Sequence, residues 1–217
     1  MKIVIQPMLE EDIPQVMKIE EESFPTVWSA NAYRRELREN RLAHYIVAVD
    51  ESTEGAEPRG NGAAASPVRS PRDAEHQGLV SRLRRVLLRR WTGEAAAKSR
   101  ACQRLIVGYA GIWIVLDEAH LTTIAVHPVY RGRGIGELLL ISAIEMSVEM
   151  NAEVMTLEVR TSNIQAQTLY EKYGFQRVGL RRGYYVDTRE DALIMTSENL
   201  NTPSYRQRFQ QLKQANR

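Results

Sequence analysis

The chain has a single cysteine, Cys102, among 217 residues. With no second thiol it can form no internal disulfide and no cysteine-built metal cluster, which suits a reducing compartment and predicts a cytoplasmic protein. Long apolar runs are missing as well. No stretch approaches the 18 or so residues of a membrane span, and the opening MKIVIQPMLEEDIP has acids and prolines where a secretory leader would need its apolar centre. Charge of one sign is not in excess: 29 basic residues against 27 acidic ones leave +2. That is too little to predict nucleic-acid or membrane binding from bulk charge, so any such partner has to be argued locally. The length suits one well-packed domain with an appendage rather than two full domains.

What is present is an alternation of strand and helix patterns. KIVIQPM reads as a short strand, and EEDIPQVMKIEEESF as an amphipathic helix with Ile13, Val16, Met17, Ile19 and Phe24 near helical spacing. SANAYRRELREN reads as a second helix with Ser29 as its N-cap, and LAHYIVAVD as a strand. RLIVGYAGIWIVLDEAHLTTIAVHP splits into two β-rich strands around a turn signal. GELLLISAIEMSVEMNA follows as a helix whose polar residues Glu137, Ser142, Glu145 and Glu149 fall in one stripe, so that most of its circumference is apolar. After it come a strand (EVMTLEVR), a short helix closed by Gly174 (NIQAQTLYEKY) and two last strands (FQRVGLRRGYYV, DALIMTS). The fold class is α/β, a mixed central sheet flanked by helices. One domain is expected over 1–200, with 201–217 as a polar C-terminal tail.

The domain is interrupted over 51–103 by a long, flexible, low-complexity insertion rich in Gly, Pro, Ser and Ala, which cannot bury enough apolar surface to offset its ordering entropy. Within it, Leu79–Trp91 carries five arginines and no acid. The plain reading is a solvated basic loop. The sharper one is a contact with nucleic acid or an acidic partner.

The chemistry-bearing stretch is VHPVYRGRGIGELLL, where Gly132, Gly134 and Gly136 lie between a strand and a helix. Glycines there let the backbone approach a ligand while the helix's unpaired N–H groups face an anion. A Walker loop would end in Gly-Lys-Ser/Thr, but here the loop ends Gly136-Glu137-Leu138. A dinucleotide loop would space its glycines G-x-G-x-x-G, but here they are spaced by twos. The loop therefore reads as a phosphate cradle of another kind, the plainer reading being a tight turn that admits close helix–strand packing.

RGRGIG, Arg131 to Gly136, resembles the Gln/Arg-x-x-Gly-x-Gly/Ala pattern of the GNAT superfamily of N-acetyltransferases, in the strand–helix order that superfamily shows. LEVRTSNIQAQTLYEKYGF, DEAHLTTIAVHP, FPTVWS and RRGYYVDTREDALIM narrow the resemblance to the RimI-type subfamily, whose members acetylate the N-terminal alanine of a small-subunit ribosomal protein. The resemblance implies acetyl-CoA as co-substrate and no metal. It implies that the loop Arg131, Gly132, Arg133, Gly134, Ile135, Gly136 and Glu137 holds the pyrophosphate, with the Glu137 side chain turned outward. Ile124, Ala125 and Val126 would pair with the pantetheine arm, the Val126 N–H polarising the thioester carbonyl. Asn163 would contact the coenzyme, Glu158 act as general base and Tyr170 as general acid.

Each of these residues also has a plainer reading. Glu158 sits in a strand with little other charge before Arg160, and pairing with an arginine would explain it. Tyr170 reads as a core aromatic and Asn163 as an N-cap. Trp28, Tyr184 and Tyr185 are candidates for the acceptor groove, or packing aromatics. Cys102 lies apart from every motif, so direct transfer in a ternary complex is expected rather than a covalent enzyme intermediate. The expected acceptor is a protein N-terminus, that of a ribosomal protein, and the expected state is a monomer or weak oligomer. Two other readings stay open: acetylation of a small-molecule amine or lysine, and a coenzyme-binding module that tethers RNA or protein through the basic insertion.

Overall fold

The computed structural model describes residues 1–53 and 104–216. The insertion expected over 51–103, with Leu79–Trp91 and Cys102, lies outside them, except for a 3-10 turn at Glu51–Thr53. The elements run β1 (Ile3–Pro7), α1 (Ile13–Ser23), α2 (Ala30–Glu39), β2 (Ala43–Asp50), β3 (Ile106–Val115), β4 (Glu118–Val126), α3 (Ile135–Glu149), β5 (Val154–Arg160), α4 (Ile164–Lys172), β6 (Phe175–Tyr185), β7 (Glu190–Ser197) and α5 (Pro203–Ala215). Ser29 caps α2 as its sequence predicts, accepting from the Ala32 N–H at 3.1 Å.

The strands form one mixed sheet ordered β1-β2-β3-β4-β5-β7-β6. Among the described strands only β4 and β5 pair in parallel, and α3 makes the crossover that such a pair requires. One apolar layer packs α3, Tyr170 and Tyr173 of α4, and α5 on one face of the sheet; the other packs α1 and α2 on the opposite face. The apolar circumference of α3 is explained by this position. It buries Ile135, Leu139, Leu140, Ile141, Ala143, Ile144 and Met146, and its one buried hydroxyl, Ser147, donates to the Ala143 carbonyl.

The C-terminal segment departs from the expected polar tail. It forms α5, which buries Tyr205 and Phe209 in the main core and pairs Lys213 with Glu145 of α3. Tyr205, Phe209 and Leu212 recur at i, i+4 and i+7, one helical stripe, and that burial holds the segment against the body.

A bulge in β4 positions the site. Register with β3 shifts between Gly111 and Ile112, which leaves Thr122 as the extra residue, its hydroxyl bonded to the Gly111 carbonyl at 3.0 Å. Ala119 and Leu121 belong to the α3 layer before the bulge; beyond it Ala125 belongs to the α1–α2 layer, and Ile124 and Val126 pack against the α3 side. One extra residue has reversed the strand's two faces.

Candidate active site

The parallel pairing of β4 and β5 runs from Glu118 opposite Val154 to Leu121 opposite Leu157 and ends there, although β4 continues to Val126 and β5 to Arg160. Past the bulge the two strands diverge into a wedge. On its far edge β4 remains paired with β3, Gly111 opposite Thr123 through Gly108 opposite Val126. Successive N–H groups of a strand point to opposite edges. The His127 N–H bonds the Val107 carbonyl on β3 at 3.0 Å, so those of Ile124 and Val126 point into the wedge. The Val126 carbonyl is held by Arg131 Nε at 3.0 Å, which leaves its N–H as the polar group offered there.

The glycine loop closes the wide end of the wedge. Gly132 and Gly134 have φ of 74° and 77°, a left-handed conformation that residues with a Cβ adopt only under strain. Gly134 is the N-cap of α3, and the Leu138 N–H is the first to bond back, to the Gly134 carbonyl at 3.0 Å. The N–H groups of Ile135, Gly136 and Glu137 therefore start the helix without intrahelical acceptors. A Cβ at Gly132 would meet nothing within 4 Å, and one at Gly134 would meet only Asn216 Oδ1 at 3.9 Å, so the space over the loop is open to an anionic group.

One side chain around this loop differs from expectation. Glu137 does not turn outward: it accepts from Lys172 Nζ and from the Tyr173 hydroxyl, both at 2.6 Å, and these partners hold its carboxyl below the usual range against the opposing effect of burial. That moves the acid off the cradle and onto α4. The Arg131 side chain is also committed, since besides Val126 it donates to the Ser23 hydroxyl at the end of α1 at 3.0 Å. Arg133, the loop's second guanidinium, is exposed and lies over the Tyr130 ring at 5.2 Å.

Glu158, which reads either as a base in a strand of little charge or as the partner of an arginine, has two nitrogen partners. His120 Nε2 lies 2.7 Å from its Oε2, and Arg181 Nη1 lies 3.2 Å from its Oε1. It projects from the α1–α2 face of β5, whereas its neighbours Leu157 and Val159 enter the α3 layer. Tyr170 comes from that other layer, so the two residues approach the wedge from opposite faces of the sheet. The Tyr170 phenol is buried, and burial, then the neighbouring Tyr185, raises its pKa above that of an ordinary tyrosine; its hydroxyl makes no hydrogen bond among the described residues. Tyr185 stands at the wedge, its hydroxyl 3.5 Å from the Glu158 carbonyl and its ring under the Arg160 guanidinium at 3.9 Å. Burial pushes it up to about 12. Tyr184, half exposed, meets it edge-on at 5.2 Å. Asn163 is the N-cap of α4, accepting from the Ala166 N–H at 3.2 Å.

Trp28 lies apart from these, half exposed on the loop between α1 and α2, and its backbone N–H donates to Glu20 Oε2 at 3.0 Å. Glu20 is a buried carboxylate whose Oε1 also accepts from the hydroxyls of Tyr33 at 2.7 Å and Tyr109 at 2.8 Å, and Tyr109 reaches Thr123 of β4 at 3.2 Å. Reading the sequence alone does not find His120, Arg181 or this Glu20 network, because sheet order brings the first two to Glu158 and the packing of α1 and α2 on β3 assembles the third. The one signal in the sequence is weak: His120, a titratable residue between Ala119 and Leu121 in a β-rich run.

Residues 69–175 match the family model described as the acetyltransferase (GNAT) family. The chain is 36% identical over 194 residues, 89% of its own length and 94% of the other's, to a Bacillus subtilis protein provisionally named a ribosomal protein bS18-alanine N-acetyltransferase. Over 92 residues, 42% of this chain and 62% of the relative, it is 44% identical to the Escherichia coli ribosomal protein bS18-alanine N-acetyltransferase. The crystal structure of the E. coli ribosomal-protein-S18-alanine N-acetyltransferase shares the fold at TM-score 0.60 and 24% identity, covering 90% of this chain and 93% of that one. The NatC complex bound to Gag peptide and CoA does so at TM-score 0.60 and 20% identity, covering 91% and 99%.

Proposed function

The chain belongs to the GNAT family of acetyltransferases, and we propose that it transfers the acetyl group of acetyl-CoA to the N-terminal α-amine of a protein, the N-terminal alanine of ribosomal protein bS18. The observation that carries this reading is the relation to the Bacillus subtilis protein, which spans nearly the whole of both chains. The wedge supports it. Bound acetyl-CoA supplies an activated acyl thioester, and the residues that would hold it are the α3 N-terminus from Gly134 to Glu137 and the wedge-facing N–H groups of Ile124 and Val126. The Val126 N–H is placed to polarise a carbonyl lying along β4. Tyr170 keeps its proton because burial raises its pKa, and so holds it ready for a departing sulfur. Glu158 provides the negative charge that favours loss of the amine's proton. Tyr184 and Tyr185, near that carboxylate, are candidate walls for the acceptor, and Trp28 on the loop between α1 and α2 is a third.

An α-amine suits this machinery better than a lysine. With pKa values near 8 and 10.4, roughly one tenth of the former but only about one in 2,500 of the latter is neutral at pH 7. The deciding experiment incubates the purified protein with acetyl-CoA and peptides matching the bS18 N-terminus, free or blocked. Acetylation confined to the free terminus is expected, and acetylation that ignores the block would overturn the reading.

A further inference from the structure

Resting on the acyl-transfer reading above, we propose that His120 is the group that takes the amine's proton, and that Glu158 acts through it as the orienting carboxylate. Ionised Glu158 can only accept, so the 2.7 Å contact between its Oε2 and His120 Nε2 puts a hydrogen on Nε2. In the neutral imidazole the lone pair then falls on Nδ1, which has no partner among the described residues. Glu158 has little left with which to meet a substrate: Arg181 faces its second oxygen at 3.2 Å, and its side chain is 7% exposed against 37% for that of His120. The imidazole is the member of the pair that reaches solvent and can release a proton to it.

The register fixes this pairing. His120 sits opposite Thr156 in the last stretch where β4 and β5 run together, and Glu158 lies two residues on, on the same face, where the strands part. Charged and titratable groups around the imidazole are Glu158 on β5, Arg181 and Tyr185 on β6, and Glu36 of α2, which accepts from Trp113, the residue opposite His120 on β3, at 3.0 Å.

In the step, the amine's lone pair forms the new bond to the acyl carbon, its N–H bond breaks, and the proton bonds to His120 Nδ1. The imidazolium is held against Glu158 until water removes the proton. The sulfur leaves with the electron pair of the broken C–S bond and takes the Tyr170 proton, which solvent replaces. The carboxylate–imidazole pair works as in other acyl-transfer sites, by fixing a tautomer.

The test is steady-state acetylation of the bS18 N-terminal peptide by wild type, His120→Gln and His120→Ala, across pH. Expected is a loss in kcat of about a hundredfold or more in both variants, with the KM for acetyl-CoA changed less than about threefold. Added imidazole should restore His120→Ala, which a merely unfolded variant could not show. The acid limb of log kcat/KM should be less steep in the variants than in wild type, because the variants keep only the amine's own proton. A kcat within about threefold of wild type in His120→Gln, with Glu158→Gln inactive, would overturn the assignment and make Glu158 the base. If wild type ignores the peptide but acetylates a lysine peptide or spermidine, the acceptor reading fails and the same comparison on that amine decides His120. If it acetylates none of them, both fall.

Discussion

Arg131 Nε donates to the Val126 carbonyl at 3.0 Å, joining the glycine loop to the strand end whose N–H points into the wedge. The same guanidinium reaches Ser23, so one exposed side chain fixes the loop, β4 and the end of α1 together. Lysine cannot reproduce this fork. Arg131→Lys is expected to raise the KM for acetyl-CoA about fivefold, the effect of losing about 1 kcal/mol of exposed charged hydrogen bonding, and to change kcat less. Unchanged coenzyme KM in steady-state kinetics would show that the loop holds its shape without the clamp.

The three glycines of the loop are not equivalent. Gly134 caps α3 with φ of 77°, whereas Gly136 lies within the helix, where an added Cβ would meet Val126 Cγ2 at 3.7 Å, an ordinary contact. Gly134→Ala should cost about 1–2 kcal/mol of stability through strain and weaken coenzyme binding by tenfold or more. Gly136→Ala should stabilise by about 0.5–1 kcal/mol through helix propensity and leave coenzyme binding nearly intact. Urea titration and calorimetry with acetyl-CoA check both, and a reversed order would mean that the phosphate contact is made at Gly136.

Local features were legible in the sequence wherever the signal lies within a few residues. The caps Ser29 and Asn163 and the loop at Gly134 are read from neighbours in the chain and are found there. Features made by pairing were not. His120 and Glu158 are 38 residues apart and meet only because β4 and β5 are adjacent and parallel, and Arg181 arrives from beyond β7 on the sheet's edge strand. The bulge at Thr122 hides in a run of β-formers, with nothing in composition to mark it. The helix α5 was legible in principle from Tyr205, Phe209 and Leu212, but its many glutamines and arginines masked that stripe.

Glu20 is a larger structural element than its place in an acidic helix suggests. Removing it takes an acceptor from the buried hydroxyls of Tyr33 and Tyr109 and from the Trp28 N–H. Glu20→Ala should cost about 3 kcal/mol. Glu20→Gln should cost about 1–2 kcal/mol, because one amide oxygen can serve the two tyrosines while the amide N–H group faces another donor at Trp28. Chemical denaturation gives both values, and equal losses would show that the oxygen shared by the two tyrosines contributes nothing.

Tyr170 is buried without a hydrogen-bond partner among the described residues, and burial raises its pKa above the ordinary value near 10. Tyr170→Phe is isosteric apart from the hydroxyl, so the fold and the coenzyme KM should persist while kcat falls by about ten- to a hundredfold. Because the phenol stays protonated, wild type should show no fall in kcat between pH 8 and about pH 10 attributable to this group. A basic limb in that range that disappears in Tyr170→Phe would contradict the burial of the phenol.

Glu190 ties the start of β7 to the turn that follows the Glu158 strand. Its Oε1 accepts from the Ser162 N–H at 2.7 Å and the Thr161 hydroxyl at 3.1 Å, and its Oε2 from Arg160 at 3.2 Å. These bonds, the Ser162 ones foremost, hold its carboxyl down to about 2. A free glutamate titrates near 4.3, so the unfolded chain takes up the proton first as pH falls. The stabilisation is therefore complete above about pH 4.3 and is lost progressively as pH falls through about 2. Urea midpoints of wild type and Glu190→Gln should differ most at pH 5.5 and converge toward pH 2.5. A difference that stays constant over that range would mean that the glutamine makes up the same contacts and that the charge of Glu190 does not hold the turn.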